Sequence, residues 1–460
     1  MSDKLLLDED VSKQQQPLRS RKPLAKAFVL ITLLLTLLGT LTIPKTRCSH
    51  AINAAIYGNR PMSVEDRAHK ILSKTPLIDG HNDLAIMIRV LYNNHIYNSN
   101  FTEPFEKGGM RQHVDLPRLR DGQNGGAFWS VFTPCPEDGQ DYSDENYAAS
   151  VQLTLQQIDL MTRLQDLYPD SFSGLPLSAK GAKSAFKEGK LISPLGIEGL
   201  HQIGNSVANL RRFHALGVRY ATLTHNCGNI YADAALWENP FHKAPAYWGG
   251  VSLKGRQLIN EMNRIGMIVD LSHTSVDTMV DVLKGRDGWT GSRAPVMFSH
   301  SSAFALCPHP RNVPDFVLEL VKEKNSVVMV NFAPDFVSCV DNGNENGIPD
   351  LFPSNNTLSH VVDHITYIGD LIGYEHVGLG SDFDGIPSTP EGLDDVSKYP
   401  DLVAELLRRG VSDEDAAKVV GGNILRVWED AEKVAAQMQQ DGEPIMEDDL
   451  ASLFEDRRVF

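Results

Sequence analysis

"LIDGHNDL", residues 77–84, is the stretch on which the fold turns. An apolar entry, Pro76-Leu77-Ile78, runs into His81 and Asp83, two residues apart. In an extended strand residues i and i+2 share a face, so the imidazole and the carboxylate converge on one point. Two readings are open at this stage. The pair is either a polar strand end capping a turn or a set of metal ligands at the mouth of a barrel.

Seven similar apolar or β-branched runs follow it. They are "GGAFWSVFTP" (125–134), "ISPLGIEG" (192–199), "VRYATLTH" (218–225), "MIVDLSH" (267–273), "PVMFSH" (295–300), "SVVMVNF" (326–332) and "HVGLGSDF" (376–383). Most gaps carry a helical pattern, clearest at 253–265, where Leu253, Leu258, Ile259, Met262 and Ile265 fall on one side. Ser252 suits its N-cap and Gly266 its C-terminal stop. Pro314 suits the first turn of another helix, and 359–373 forms a third. Eight alternating units predict an α/β fold, a (β/α)8 TIM-like barrel. A doubly wound open sheet is the alternative, but no GxGxxG follows the first run. Segments 84–124, 226–250 and 333–358 are too long for plain connections and read as functional or covering elements. Trp237, Tyr247 and Trp248 are candidates to line a pocket, although core packing accounts for them equally well.

The run ends carry His81 and Asp83, Glu198, His225, His273, His300 and Asp382. Barrels of this kind build active sites at the C-terminal ends of their strands. One histidine at a strand end is most often a hydrogen-bonded bystander, but six strands ending this way is not coincidence. The nitrogen and oxygen donors suit zinc, with manganese, cobalt and iron as alternatives. They are too many for one tetrahedral ion, so two ions sharing a carboxylate is the economical solution. Such a pair makes a bridging hydroxide at neutral pH and clamps a hydrolytic transition state. The serines of "FSHSS" do not form a GxSxG elbow, which argues against a serine hydrolase.

The charge distribution bears on partners and address. The formal net charge of −16 over 460 residues argues against a nucleic-acid partner. Residues 1–50 hold eight Lys/Arg against four Asp/Glu, a net of +4, which leaves −20 for residues 51–460. Residues 27–43 are uncharged, seventeen positions at the short limit for a bilayer span. Arg19, Arg21, Lys22 and Lys26 precede them, which favours a cytoplasmic N-terminus. A cleaved signal peptide, with Ala51 or Ala54 near the cut, is the competing reading. The charged lead fits an uncleaved signal anchor better. The expectation is a single-pass type II membrane protein with its catalytic domain lumenal or extracellular. Its divisions are a cytoplasmic tail (1–26), a transmembrane anchor (27–43), a stalk (44–63), the barrel (64–440) and an acidic C-terminal tail (441–460). Five cysteines occur without a CxxC, and in an oxidising compartment the four inside the domain can form two bridges. Cys48 is left over in the stalk, available to link chains. Sequons at Asn100 and Asn355 fit glycosylated surface loops.

The ordered motifs His-x-Asp, "GIEGLHQIG", "DLSHTS", "FSHSSA" and "GSDFDG", with "LGVRYATLTHNC", "RNVPD" and "TPEGLDDVSKYPDL", resemble the membrane (renal) dipeptidases, metal-dependent hydrolases of the amidohydrolase type. The similarity runs from Val64 to Val434. It implies two zinc ions per chain, the first held by His81, Asp83 and Glu198 and the second by Glu198, His273 and His300. Glu198 would bridge where related enzymes use a carboxylated lysine. Asp382 would be the general acid/base, and His225 would stabilise the oxyanion. Arg311 would hold the C-terminal carboxylate of a dipeptide. His225, Arg311 and Asp382 would together bind substrate. The resemblance also implies disulfides Cys135–Cys227 and Cys307–Cys339, and it leaves a homodimer open. The animal members are held by a C-terminal lipid and carry a dimer-linking cysteine near that end; neither feature has a counterpart here. The resemblance thus implies hydrolysis of dipeptides by a metal-bridging hydroxide. The alternatives are a dinuclear hydrolase of another amide, lactam or ester, and a non-catalytic receptor ectodomain on the same barrel.

Overall fold

Each of the eight runs forms a strand in the computed structural model, which describes residues 62–450. The strands are Leu77–Asn82, Asn124–Ser130, Leu195–Glu198, Val218–Thr222, Ile268–Asp270, Met297–Phe298, Val327–Val330 and Val377–Leu379, numbered first to eighth below. They pair in parallel in that order. The eighth returns to the first through a parallel bridge between Asn82 and Phe383. The Asp83 amide donates to the Phe383 carbonyl at 2.9 Å, and the Asp382 amide to the His81 carbonyl at 3.0 Å. This is the TIM-like α/β barrel, and the sequential strand order removes the open doubly wound alternative.

Local chemistry sets the helices. Ser252 accepts from the Gly255 amide and starts the helix Leu253–Ile265, which Gly266 ends at φ 80°. Pro314 is the N-cap of Asp315–Glu323 rather than a residue of its first turn, and the third expected helix spans Leu358–Ile372. Ile78, Phe128, Tyr220, Ile268, Met297 and Met329 pack in one cluster with Trp428 of the C-terminal helix Asn423–Gln440. The Phe128 and Trp428 rings lie 5.4 Å apart, so that helix supplies a large apolar contact to the strands. The acidic segment beyond it also has a structural task. The Asp448 carboxylate accepts from the amides of Val207 and Ala208 at 2.6 and 3.1 Å, and so caps the helix Val207–Ala215.

The long segments contain structure of their own. Residues 84–124 hold the helices Leu84–Tyr92, Ser99–Lys107 and Leu116–Asp121, because side chains such as Phe101 and Phe105 stack at 4.9 Å in the core. Antiparallel ribbons form at Leu236–Glu238 with Phe241–Lys243, and at Cys339–Val340 with Asp350–Leu351.

A buried carboxylate fastens the seam between the first and last strands. Asp79 accepts from the Ser381 amide at 2.8 Å, the Ser381 hydroxyl at 2.5 Å and the Tyr399 hydroxyl at 2.8 Å. Burial pushes its pKa up, and the Ser381 hydroxyl and amide work against that rise. Asp79→Ala removes the acceptor of these three donors and of the His81 amide at 3.3 Å, and is expected to lower unfolding stability by about 3–5 kcal/mol. Tyr399→Phe removes one of them and should lose only about 1 kcal/mol. Denaturant midpoints that match the parent in both variants would contradict the role of this seam.

The single-pass type II localisation, and the membrane partnership that goes with it, are corrected. Among the described residues no helix is long and apolar enough to cross a membrane. The expectation rested on hydropathy at the short limit of a span, in residues 27–43, which lie outside the described residues together with the cytoplasmic tail and Cys48.

Candidate metal centre and substrate cavity

Glu198 ends the third strand, and its two oxygens face different partners. Oε1 lies 2.9 Å from His273 Nε2 and 3.3 Å from His300 Nε2. Oε2 lies 3.5 Å from His81 Nε2, which is 3.0 Å from Asp83 Oδ2. Two donor groups therefore share one carboxylate: His81, Asp83 and Glu198 form one, and Glu198, His273 and His300 the other. Within each group the donor atoms lie within 4.8 Å of one another. Asp83 is the N-cap of the helix Leu84–Tyr92, one position past the strand, yet it still converges with His81.

The far side of each imidazole decides which nitrogen faces inward. The Ser299 hydroxyl donates to Asp270 at 2.6 Å, so at its 2.8 Å contact with His300 Nδ1 it can only accept. His300 Nε2 is then left without a proton. His273 Nδ1 donates to Asn226 Oδ1 at 3.0 Å, which bares its Nε2 as well. These two bare nitrogens stand 3.0 Å apart and repel unless a cation lies between them. The donor set therefore fits a bound metal. Tyr220 contacts His81 Nδ1 at 2.8 Å, and its ring lies where a Cβ on Gly196 would come within 2.1 Å.

The backbone is strained at the site. His273 and Asp382 adopt φ of 64° and 66°, a region that costs an L residue about 1–2 kcal/mol. The His273 carbonyl is held by the Ala235 amide at 2.7 Å and the Thr224 hydroxyl at 3.0 Å. Gly385 is needed beside Asp382, because a Cβ there would meet Asp83 at 2.3 Å and Asp382 at 2.4 Å.

Burial dominates the electrostatics. It pushes His225, His273 and His300 well below the usual imidazole range, and the Arg311 cation adds to the effect on each. Neutral imidazoles are the form that binds a metal. Burial opposes charge on His81 too, but Tyr220, Glu198 and Asp83 outweigh it and raise its pKa well above the usual value. Burial raises the Glu198 pKa, and His81 opposes that rise. Burial also lifts Asp382 to about 7, with His81 opposing and Asp83 and Glu198 adding to it.

His225, Arg311 and Asp382 line one cavity of about 450 Å3 together with Asp83, Glu198 and His273. Its apolar wall includes Ile86, Met87, Phe132, Leu236, Phe241 and Phe336. Arg311 is 1% exposed, and its Nε and both Nη atoms have no hydrogen-bond partner among the described residues. Burial lowers its pKa to about 10, so the cation persists at neutral pH. Asp382 accepts from Asn331 Nδ2 at 3.2 Å. The His225 ring stands 4.4 Å from that of His273, and the Cys135–Cys227 disulfide lies beside it. Cys307–Cys339 forms the second bridge.

Other expectations fared differently. Trp237, Tyr247 and Trp248 do not line this cavity; Trp237 borders a neighbouring one behind the Cys135–Cys227 bridge. Asn100 and Asn355 are exposed, but Asn100 stands in the helix Ser99–Lys107 rather than in a loop. Asp384 accepts from the His113 amide at 2.8 Å and returns its own amide to His113 Nδ1 at 2.9 Å, so it fastens a loop. Sequence reasoning missed Tyr220, Asn226, Asp270 and Ser299. A carboxylate in the otherwise apolar "MIVDL" was the one available signal.

The sequence pattern of the membrane dipeptidases (peptidase family M19) matches residues 65–442. Dipeptidase aclJ of Aspergillus oryzae is 48% identical over 391 residues, covering 84% of this chain and 85% of that protein. Dipeptidase tcpJ of Claviceps purpurea is 45% identical over 378 residues, 82% of each chain. A metallopeptidase from Rhodobacter sphaeroides, solved with a phosphinate mimic of the dipeptide L-Ala-D-Ala, shares the fold. It has a TM-score of 0.63 and 24% identity, covering 78% of this chain and 99% of that one.

Proposed function

The chain belongs to the membrane dipeptidase family of metallopeptidases, and from that premise we propose that it is a dinuclear zinc dipeptidase whose chemistry is carried by the site described above. The observation that carries the finer reading is the shared carboxylate: one Glu198 oxygen faces His273 and His300 while the other faces His81. His81, Asp83 and Glu198 would hold one ion, and Glu198, His273 and His300 the other. When bound, the pair supplies Lewis acidity at the scissile carbonyl and a water acidic enough to ionise near neutral pH.

The remaining tasks fall to the protein's own groups. Asp382 takes a proton as an ionised carboxylate and returns it to the leaving amine. Its position beside Asp83 across Gly385 keeps it close to the reacting centre. His225 is neutral through burial and donates a hydrogen bond to the oxygen on which negative charge develops. Arg311 offers its unpaired N–H groups to the free carboxylate of the substrate, which limits the peptide to two residues because a longer chain would place an amide against the cation.

The purified protein is expected to cleave dipeptides and to spare tripeptides and cyclic amides, to lose activity on chelation and to recover it with zinc. Activity that survives exhaustive chelation would reject the metal reading. Arg311→Ala is expected to lower kcat/KM for dipeptides by about 2–5 kcal/mol, mostly through KM. An unchanged KM would remove Arg311 from the substrate site.

A further inference from the structure

Arg311 is a buried cation with nothing of its own polarity holding it. Its guanidinium nitrogens lack hydrogen-bond partners among the described residues, so no carboxylate or carbonyl fixes the direction in which they point. The contact it does make is with an aromatic ring: its guanidinium carbon lies 5.1 Å from the centroid of Phe336. Phe336 borders the same cavity as Arg311. A cation over a ring face is attracted by the ring quadrupole, more strongly where water is excluded.

Phe336 is itself tightly placed. It belongs to the single helical turn Pro334–Val337 after the seventh strand, whereas Arg311 comes from the loop after the sixth. The two segments are clamped together three times. The Asn312 side-chain amide donates to the carbonyls of Phe336 and Cys307, each at 2.9 Å. The Cys307–Cys339 disulfide ties the same two segments covalently. The His309 ring packs 4.5 Å from the Phe336 ring, while its Nδ1 accepts from the Arg311 backbone amide at 3.1 Å. Backbone and ring are thus both fixed around a guanidinium whose donors stay free.

We propose that Phe336 is a positioning residue for substrate recognition: its ring, clamped by Asn312 and the Cys307–Cys339 disulfide, holds the Arg311 guanidinium in place without using any of its N–H groups, leaving them all for the carboxylate of a dipeptide. This inference rests on the dipeptidase reading of Arg311. A salt bridge would hold the arginine as firmly but would consume the donors that the substrate needs. A ring holds it and consumes none. The same logic gives the disulfide a role in affinity, because it keeps the aromatic wall and the cation in register.

The test compares a dipeptide with the same dipeptide carrying a C-terminal amide, which has no carboxylate to offer. Phe336→Leu is expected to raise KM for the free acid about tenfold, within a range of about 3- to 30-fold, with kcat little changed. The amide should lose less than the acid does, so the preference for acid over amide shrinks. Phe336→Tyr or Phe336→Trp restores a ring face and should recover most of that preference, a rescue that a simple apolar wall would not distinguish from leucine. Two results overturn the inference: Phe336→Leu keeping the acid preference while Arg311→Ala loses it, or Phe336→Leu weakening acid and amide alike. An Arg311→Ala variant that keeps the preference would overturn the carboxylate reading itself, and this inference with it.

Discussion

Glu198→Ala is expected to abolish metal binding and hydrolysis together, with metal content by elemental analysis falling from about two ions per chain to near zero. The reason is geometric. Each donor group would lose its shared member, leaving His81 with Asp83 on one side and His273 with His300 on the other. Two ligands do not fill the three protein positions of a catalytic zinc site. The fold should survive, because the carboxylate is buried at a cost that its removal relieves: burial already pushes its pKa up. A Glu198→Ala protein that retains two ions would sink the bridging role. One that retains a single ion would show that one donor group stands without the carboxylate.

Asp382→Asn is expected to lower kcat by about 10^2- to 10^4-fold while leaving metal content near the parent value. Asparagine keeps the shape and the contact with Asn331 but cannot carry a proton between water and the leaving amine. The pH profile gives a second readout. Burial lifts this carboxyl to about 7 in the absence of cations, and bound cations favour its charged form and draw the value down. The ionised form is the active base, so kcat/KM should rise with pH through an acid limb below 7, and the asparagine variant should lose that limb. The linkage to stability has the opposite sign. A folded pKa raised from 3.8 to about 7 means that ionisation costs the metal-free protein stability as pH climbs through that window. Asp382→Asn should therefore be neutral or mildly stabilising to the apoprotein at pH 8. A variant with parental kcat would assign the proton transfer elsewhere.

The barrel was legible because parallel strands are buried on both sides and announce themselves as apolar runs between helical patterns. The candidate ligands were legible because they interrupt those runs at one end. Tyr220 and Asp270 were not, since each acts across a strand boundary, Tyr220 on His81 and Asp270 on Ser299; Ser299 adjoins His300 in sequence, but its role as acceptor depends on Asp270 from the neighbouring strand. Register between strands distant in sequence is not written in any local pattern. The aromatic segment 237–248, for which pocket lining and core packing were both open, stayed unresolved in the sequence for a different reason. Asp233 gathers the amides of Tyr247, Trp248 and Gly250, and Tyr247 ends 66% exposed and edge-on to Tyr142. Composition gives the ring but not its direction. Phe336 escaped notice because its importance depends on a partner brought to it by Asn312 and a disulfide.

The seam fastened by Asp79 sets an order on biosynthesis. His81 and Asp83 emerge early from the ribosome, whereas Ser381 and Asp382 emerge some three hundred residues later, and the Asn82–Phe383 bridge joins them. A nascent chain that lacks its final strand has neither a closed cylinder nor Asp382, the carboxylate proposed to carry the proton. On the proposed mechanism, hydrolytic competence therefore requires synthesis through the eighth strand and Asp382.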